Sequence, residues 1–352
     1  MSIKKYKRKF ILIGIIILLI GSVVLKNVLK KDGSIEIPNK ISQKKNNDIF
    51  SDIDNLTSWI VYWDLNVDSE INMLNKKLSS ISYFAVNFNE NNDLIVPEKL
   101  EMYYNKTKSY NYEKYITIVN DIVNDDGTSL LKDKEILNIL LSDELSREKH
   151  INDIIYLAKE YGFDGIEIDY EQIKDDLALW ENYILFINEL YSEALTNNLK
   201  LRVVLEVNTP IDKLNFTEGP TYVMMCYNLH GSFSEAGEKS NQYFIKELMD
   251  KMKEVPGEKS FAIPTGGFEW KDNGSTKSVS EAEAKQILIE NKIEAKRDDK
   301  SQYLYFDYTD KENIKHEVWY ADQVTLEYLS KVIIEEGYDV SLWRLGGNLF
   351  NK

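Results

Sequence analysis

From about Asp52 onward, short apolar runs alternate with longer stretches of amphipathic spacing. The runs Trp59–Trp63, Ser82–Phe88, Tyr115–Val119, Gly165–Tyr170, Leu201–Glu206, Tyr222–Tyr227, Phe261–Pro264 and Val340–Trp343 read as strands. Glu135–Leu141, Arg147–Tyr161 and Leu177–Asn197 carry helical spacing between them. That alternation predicts βα units around a parallel sheet, and eight runs predict a (β/α)8 barrel over 52–352. The seventh-to-eighth connection is too long for a bare loop. It carries a predicted helix, Ser280–Asn291, and a predicted hairpin of Gln302–Asp307 with His316–Tyr320.

The pattern upstream is different. Lys4, Lys5, Lys7, Arg8 and Lys9 precede an uncharged apolar run, Phe10–Leu25. Such a run is a signal sequence or a signal anchor. It is short for a spanning helix, which needs ~20 residues, but Lys26 can snorkel and 27–29 can extend it. The run is not followed by a small-x-small cleavage site. The expectation is therefore a single-pass membrane anchor over 1–29 with the body outside the cytoplasm. Secretion after cleavage is the alternative. Residues 30–51 are polar and aperiodic and read as a linker.

Composition narrows the classes. The chain of 352 residues carries a formal net charge of −15, although its first 31 residues hold only basic charges. An acidic body of this kind does not seek nucleic acid through bulk charge. A single cysteine, Cys226, excludes an intrachain disulfide and a multi-cysteine zinc site. His150, His230 and His316 lack metal-ligand spacing and read as structural. No glycine-rich phosphate loop is present, so neither metal nor cofactor is expected. Cys226 should face away from Tyr227 if both lie on one strand.

The candidate chemistry is concentrated in one stretch, Phe-Asp-Gly-Ile-Glu-Ile-Asp-Tyr-Glu, over 163–171. Glu167, Asp169 and Glu171 fall at every second position, so on a strand they share one face. Successive members lie roughly 6.6 Å apart. Three carboxylates so placed cannot all ionise without cost, and perturbed carboxyls gather where chemistry needs an acid. A solvated strand face is the duller reading, and the apolar partners Ile166 and Ile168 speak against it.

The segment Asp164-Gly-Ile-Glu-Ile-Asp-Tyr-Glu171 resembles the Asp-x-x-Asp-x-Asp-x-Glu strand of glycoside hydrolase family 18, the chitinase-like enzymes. Glu167 stands where that family most often has Asp, and Tyr170 where chitinases often have Trp. Met225-Cys-Tyr-Asn-Leu-His-Gly231 resembles the family's sixth-strand segment, with Asn228 in place of Asp. Trp343 matches the eighth-strand tryptophan. The resemblance runs from about Asp52 to Gly347 and is closest to bacterial spore-cortex and cell-wall N-acetylglucosaminidase-type members. It implies a small α+β insertion at about 268–322, whose Trp319 and tyrosines either wall a groove or stabilise the fold.

What the resemblance implies chemically is substrate-assisted retaining hydrolysis of a β-linked N-acetylglucosamine polymer. Glu171 would be the proton donor. Asp169 would hold the acetamido N–H and stabilise the cationic intermediate, and Tyr227 would orient the acetamido oxygen. Trp343 would floor the distorted sugar. Glu167 would support Asp169 by sharing a proton or charge, and Asp164 by structure near the strand start. Asn228, Trp63 and Glu206 are further substrate-binding candidates at the strand ends; Glu206 could equally pair with an arginine. Peptidoglycan or spore cortex is expected over chitin, because an anchor keeps the enzyme, expected as a monomer, at its own envelope. Two other readings compete: a non-catalytic, lectin-like member of the same fold, which the presence of Glu171 opposes, and a hydrolase using the carboxylates to hold Mg2+ or Ca2+.

Overall fold

The computed structural model describes residues 50, 52–74, 76–124 and 126–350. The anchor expected over 1–29 lies outside the described residues. So does the expected linker, apart from Phe50, which is buried with its ring 5.9 Å from that of Phe350. Among the described residues no helix is long and apolar enough to cross a membrane.

Eight parallel strands close on themselves. In order they are Leu56–Val61, Leu78–Phe88, Glu113–Val123, Gly165–Asp169, Lys200–Leu205, Thr221–Met225, Lys259–Pro264 and Asp339–Trp343. Each pairs with the next, and the first pairs with the eighth through Leu56↔Val340 to Ser58↔Leu342, which closes the (β/α)8 barrel. The first strand begins earlier than the apolar run implied and ends before Trp63. A turn closed by the Asp64 N–H on the Val61 carbonyl (3.0 Å) releases the chain there. The fifth and sixth strands likewise stop short of Glu206 and of Tyr227.

The fourth strand is clamped by its two helices. Glu144–Tyr161 leads into it, capped by Asp143 on the Ser146 N–H and ended by Gly162 at φ 79°. Leu177–Thr196 follows it, capped by Asp176 on the Leu179 N–H. Ile166 and Ile168 point outward into the core between barrel and helices and are fully buried. Tyr170 points the same way, its hydroxyl 2.6 Å from His150 Nε2. Burial pulls His150 down to about 3, so it is a neutral core histidine. Period-2 alternation therefore leaves Glu167 and Asp169 facing the barrel interior.

The connection after the seventh strand carries, before its barrel helix Gln323–Ile334, a five-stranded antiparallel sheet with one helix, Glu281–Asn291, capped by the Ser280–Glu283 box. Its strand order is Thr276–Val279, Gly267–Lys271, Lys315–Tyr320, Leu304–Thr309 and Lys296–Arg297. The Leu304–Thr309 and Lys315–Tyr320 pair is the expected hairpin, while the Gly267–Val279 hairpin beside it was not anticipated. Gly267 is required there: a Cβ would lie 1.8 Å from the Trp319 carbonyl oxygen. Val279, Ala284, Phe306, Val318 and Tyr320 give this insertion a core of its own.

Candidate active site

The barrel interior is polar at its base, where Arg202 from the fifth strand spreads its guanidinium. It donates to Ser80 (3.3 Å), Thr57 (3.3 Å) and Ser341 (3.4 Å), while its carbon lies 5.6 and 5.4 Å from the ring centres of Trp59 and Tyr115. Its Nε forms an ion pair with Glu167 at 3.0 Å, both residues being almost wholly buried. Glu167 also accepts from the Trp59 indole N–H (2.5 Å), Thr117 (2.8 Å) and Ser82 (2.9 Å). The longer glutamate side chain thus reaches three hydrogen-bond donors and a cation across the barrel. Among the described residues its oxygens make no hydrogen bond to Asp169; of the expected sharing of a proton or charge, the structure holds the charge, which acts on Asp169 through space.

One turn of the pleat higher, Asp169 is in the opposite condition. It is buried and its Oδ1 has no hydrogen-bond partner among the described residues. Burial, then the Glu171 and Glu167 charges, push its carboxyl well above the usual range, against a smaller opposing pull from Lys132. Glu171 follows at the strand end. Asn120 fixes its backbone in both directions, accepting from its N–H (2.9 Å) and donating to its carbonyl (3.0 Å). Burial raises the Glu171 carboxyl, Lys132 opposes this through an ion pair, and Glu206 and Asp121 push upward again. The net direction is up.

Tyr227 lies just past the sixth strand and stacks on Trp343, with ring centres 6.2 Å apart and planes 14° from parallel. Burial and the nearby Asp169, Glu171 and Glu167 charges raise its hydroxyl, so it is a firm donor. Trp343 also meets Trp59 (5.4 Å) and Phe84 (5.0 Å) edge-on. Trp59, Phe84, Tyr227 and Trp343 belong to one apolar cluster inside the barrel. Cys226 is fully buried in the other core, behind the strand, as alternation required.

The remaining candidates divide. Trp63 sits on the rim, 51% exposed, against Phe84 and Tyr62. Asn228 is exposed at φ 59° beside Tyr227. Glu206 does not pair with an arginine; it accepts from the Gln172 N–H (2.7 Å) and steadies the loop after Glu171. Asp164 is at the far end of its strand, where it accepts from the Lys114 N–H (2.8 Å) and ties the third strand to the fourth. Sequence reasoning missed Arg202 and Lys132. Arg202 had a signal, since it shares the inward phase of Val204 on the fifth strand. Lys132 had none, because a loop delivers it. Among the described residues no group of three or more His, Cys, Asp or Glu side chains is arranged to hold a metal ion.

Residues 58–346 match the model of Glycosyl hydrolases family 18. The chain belongs to this family. It is a glycoside hydrolase. This family-18 chain is 26% identical over 290 residues to an uncharacterized glycosylase of Bacillus subtilis, YvbX, covering 76% of the chain and 81% of that protein. It is 28% identical over 240 residues to the cortical fragment-lytic enzyme of the same organism, covering 60% of the chain and 53% of the relative, so it spans about half that enzyme's length. The barrel is similar to the Bacillus cereus spore cortex-lytic enzyme SleL, with a TM-score of 0.71 at 19% identity, covering 83% of the chain and 71% of SleL. A Chromobacterium violaceum chitinase gives a TM-score of 0.71 at 16% identity, covering 84% and 95%. The arrangement offers this family-18 enzyme a buried, uncommitted carboxyl, a neighbouring acid of raised proton affinity, a hydroxyl donor and a flat aromatic wall.

Proposed function

We propose that the chain hydrolyses β-linked N-acetylglucosamine-containing glycans, peptidoglycan or spore cortex in preference to chitin, by substrate-assisted retaining catalysis. The observation that carries this reading is the orphaned Asp169 carboxyl, buried beside Glu171 at the barrel mouth. A side chain that gives up its hydrogen bonds on burial needs a partner that arrives later. An acetamido N–H is such a partner.

Glu171 gives its proton to the glycosidic oxygen as the bond to the anomeric carbon breaks. The substrate's own acetamido oxygen closes on that carbon, so no protein nucleophile is used. Asp169 accepts from the acetamido N–H and offsets the positive charge of the cyclic intermediate. Tyr227 donates to the acetamido oxygen and Trp343 lies under the ring. Water then opens the intermediate while Glu171 takes its proton, and configuration is retained. The cortical fragment-lytic relatives support a cell-wall substrate. The basic cluster before the apolar run Phe10–Leu25 supports delivery to the envelope, as a single-pass anchored monomer or as a secreted one.

Product mass analysis with purified peptidoglycan and chito-oligosaccharides tests this. Glu171→Gln should lower turnover by about 10²–10⁴-fold with an unchanged melting temperature. A de-N-acetylated glycan should resist the wild-type enzyme. Turnover of that glycan at the N-acetylated rate would overturn substrate assistance, and glycan binding without any product would favour a lectin. Because the Glu171 carboxyl is raised, kcat/KM should persist above the pH at which an ordinary carboxylic acid has lost its proton, and fall as pH rises further.

A further inference from the structure

Beside Glu171 the surface opens into a cleft of about 510 Å³ lined by Leu131, Lys132, Lys134, Gln172 and Lys174. Three of its five lining residues are cationic, on a chain whose formal net charge is −15. Two loops build it, one after the third barrel strand and one after the fourth. Lys132, Gln172 and Lys174 all hold left-handed backbone, at φ 55°, 64° and 54°. Non-glycine residues adopt that region at a cost, and such residues concentrate at ligand sites. The loops are held in place by named contacts: Asp121 accepts from the Lys132 N–H (2.7 Å), and Glu206 from the Gln172 N–H (2.7 Å).

The three ammonium groups are committed differently. Lys134 pairs with Asp176 at 3.3 Å. Lys174 has no carboxylate partner among the described residues. Lys132 is on Glu171, the proposed proton donor. A cation there opposes the burial that raises this acid and favours the form that cannot donate a proton. For the proposed chemistry to proceed, the lysine has to be drawn away, and a second anion in the cleft would do this.

We propose that the cleft is a subsite for a carboxylate carried by the glycan, and that this carboxylate takes Lys132 off Glu171 as the substrate seats. The ligand class is a β-linked N-acetylhexosamine polymer with acidic substituents, such as 3-O-lactyl groups of peptidoglycan sugars whose carboxyl carries no peptide. This rests on the hydrolytic reading above and adds the source of its selectivity. Once Lys132 turns to the substrate, Glu171 faces only the negative groups Asp169, Glu206 and Asp121. It then takes a proton from solvent and is ready to give it to the leaving oxygen. A neutral chito-oligosaccharide leaves the ion pair closed.

The experiment uses a lactyl-bearing glycan tetramer and the same tetramer with its carboxylates converted to neutral amides. The wild-type enzyme should favour the carboxylate form in kcat/KM by about tenfold or more, the scale of one charge-assisted contact. Lys132→Gln should abolish that preference, raise turnover of the amidated tetramer, and move the alkaline limb of its pH profile upward. Lys174→Gln should weaken the preference through KM, leaving kcat little changed. A preference that survives Lys132→Gln intact overturns the proposal. Calorimetric binding to the Glu171→Gln chain separates it from the hydrolytic reading. Tighter binding of the carboxylate tetramer, weakening with added salt, supports the subsite even if the wild type cleaves nothing. Equal affinity for the two tetramers overturns it whatever the turnover.

Discussion

Glu167 and Asp169 are two residues apart on one strand and face the same interior, yet they live in opposite environments. Glu167 is met by an indole, two hydroxyls and a guanidinium. Asp169 Oδ1 is met by no donor among the described residues, and its neighbours include two further carboxyls. The first arrangement fixes a charge; the second leaves a group free to change protonation and partner. A barrel can therefore be rigid at its base and responsive at its mouth within the span of a single strand. Saturating the lower carboxyl also keeps the Arg202 cation from reaching up to neutralise the upper one.

Breaking the lower region should have the largest effect, on stability. Arg202→Met leaves Glu167 buried without its cation, and a loss of about 3–5 kcal/mol in denaturant unfolding is expected. Breaking the upper region should cost activity alone. Asp169→Asn should lower kcat by about 10²–10³-fold, roughly 3–4 kcal/mol in the barrier, with a melting temperature unchanged or higher. A large fall in stability in that variant would show that Asp169 is structural after all.

A third carboxyl sharpens the contrast. Among the described residues the buried Glu70 accepts only from the Gly346 N–H, at 3.0 and 2.9 Å, and burial above all raises it to about 7. A carboxyl raised in the folded state stabilises fully below its unfolded value and loses that contribution as pH climbs through the folded one. Stability should therefore decline by about 3 kcal/mol between pH 4 and pH 8 on account of this group. Glu70→Gln should flatten that slope in thermal melts. The smallest effect belongs to the rim: Trp63→Ala should change stability by under ~0.5 kcal/mol while raising KM for long glycans.

The architecture was legible because its signals are periodic. The fourth strand announces itself through alternation, and the Ser280–Glu283 box and the eight apolar runs do the same for the insertion and the barrel. Glu171, Asp169, Tyr227 and Trp343 could be named together because the segments around them resemble those of glycoside hydrolase family 18, each at or just past the end of a recognisable strand. Strand ends were less legible: Trp63 looks like strand but a tight turn at Val61–Asp64 expels it. Lys132 was invisible because loop geometry, not periodicity, carries it across to Glu171. The Gln172 contact of Glu206 was unreadable for a related reason, since Gln172 is set by a left-handed turn that no apolar pattern records.

The ring contact between Phe50 and Phe350 has a topological consequence. Because the first and last described segments meet, a short peptide joining them would leave every barrel strand in place. New ends opened at an exposed loop tip such as Gly274 should then give a circular permutant that still folds.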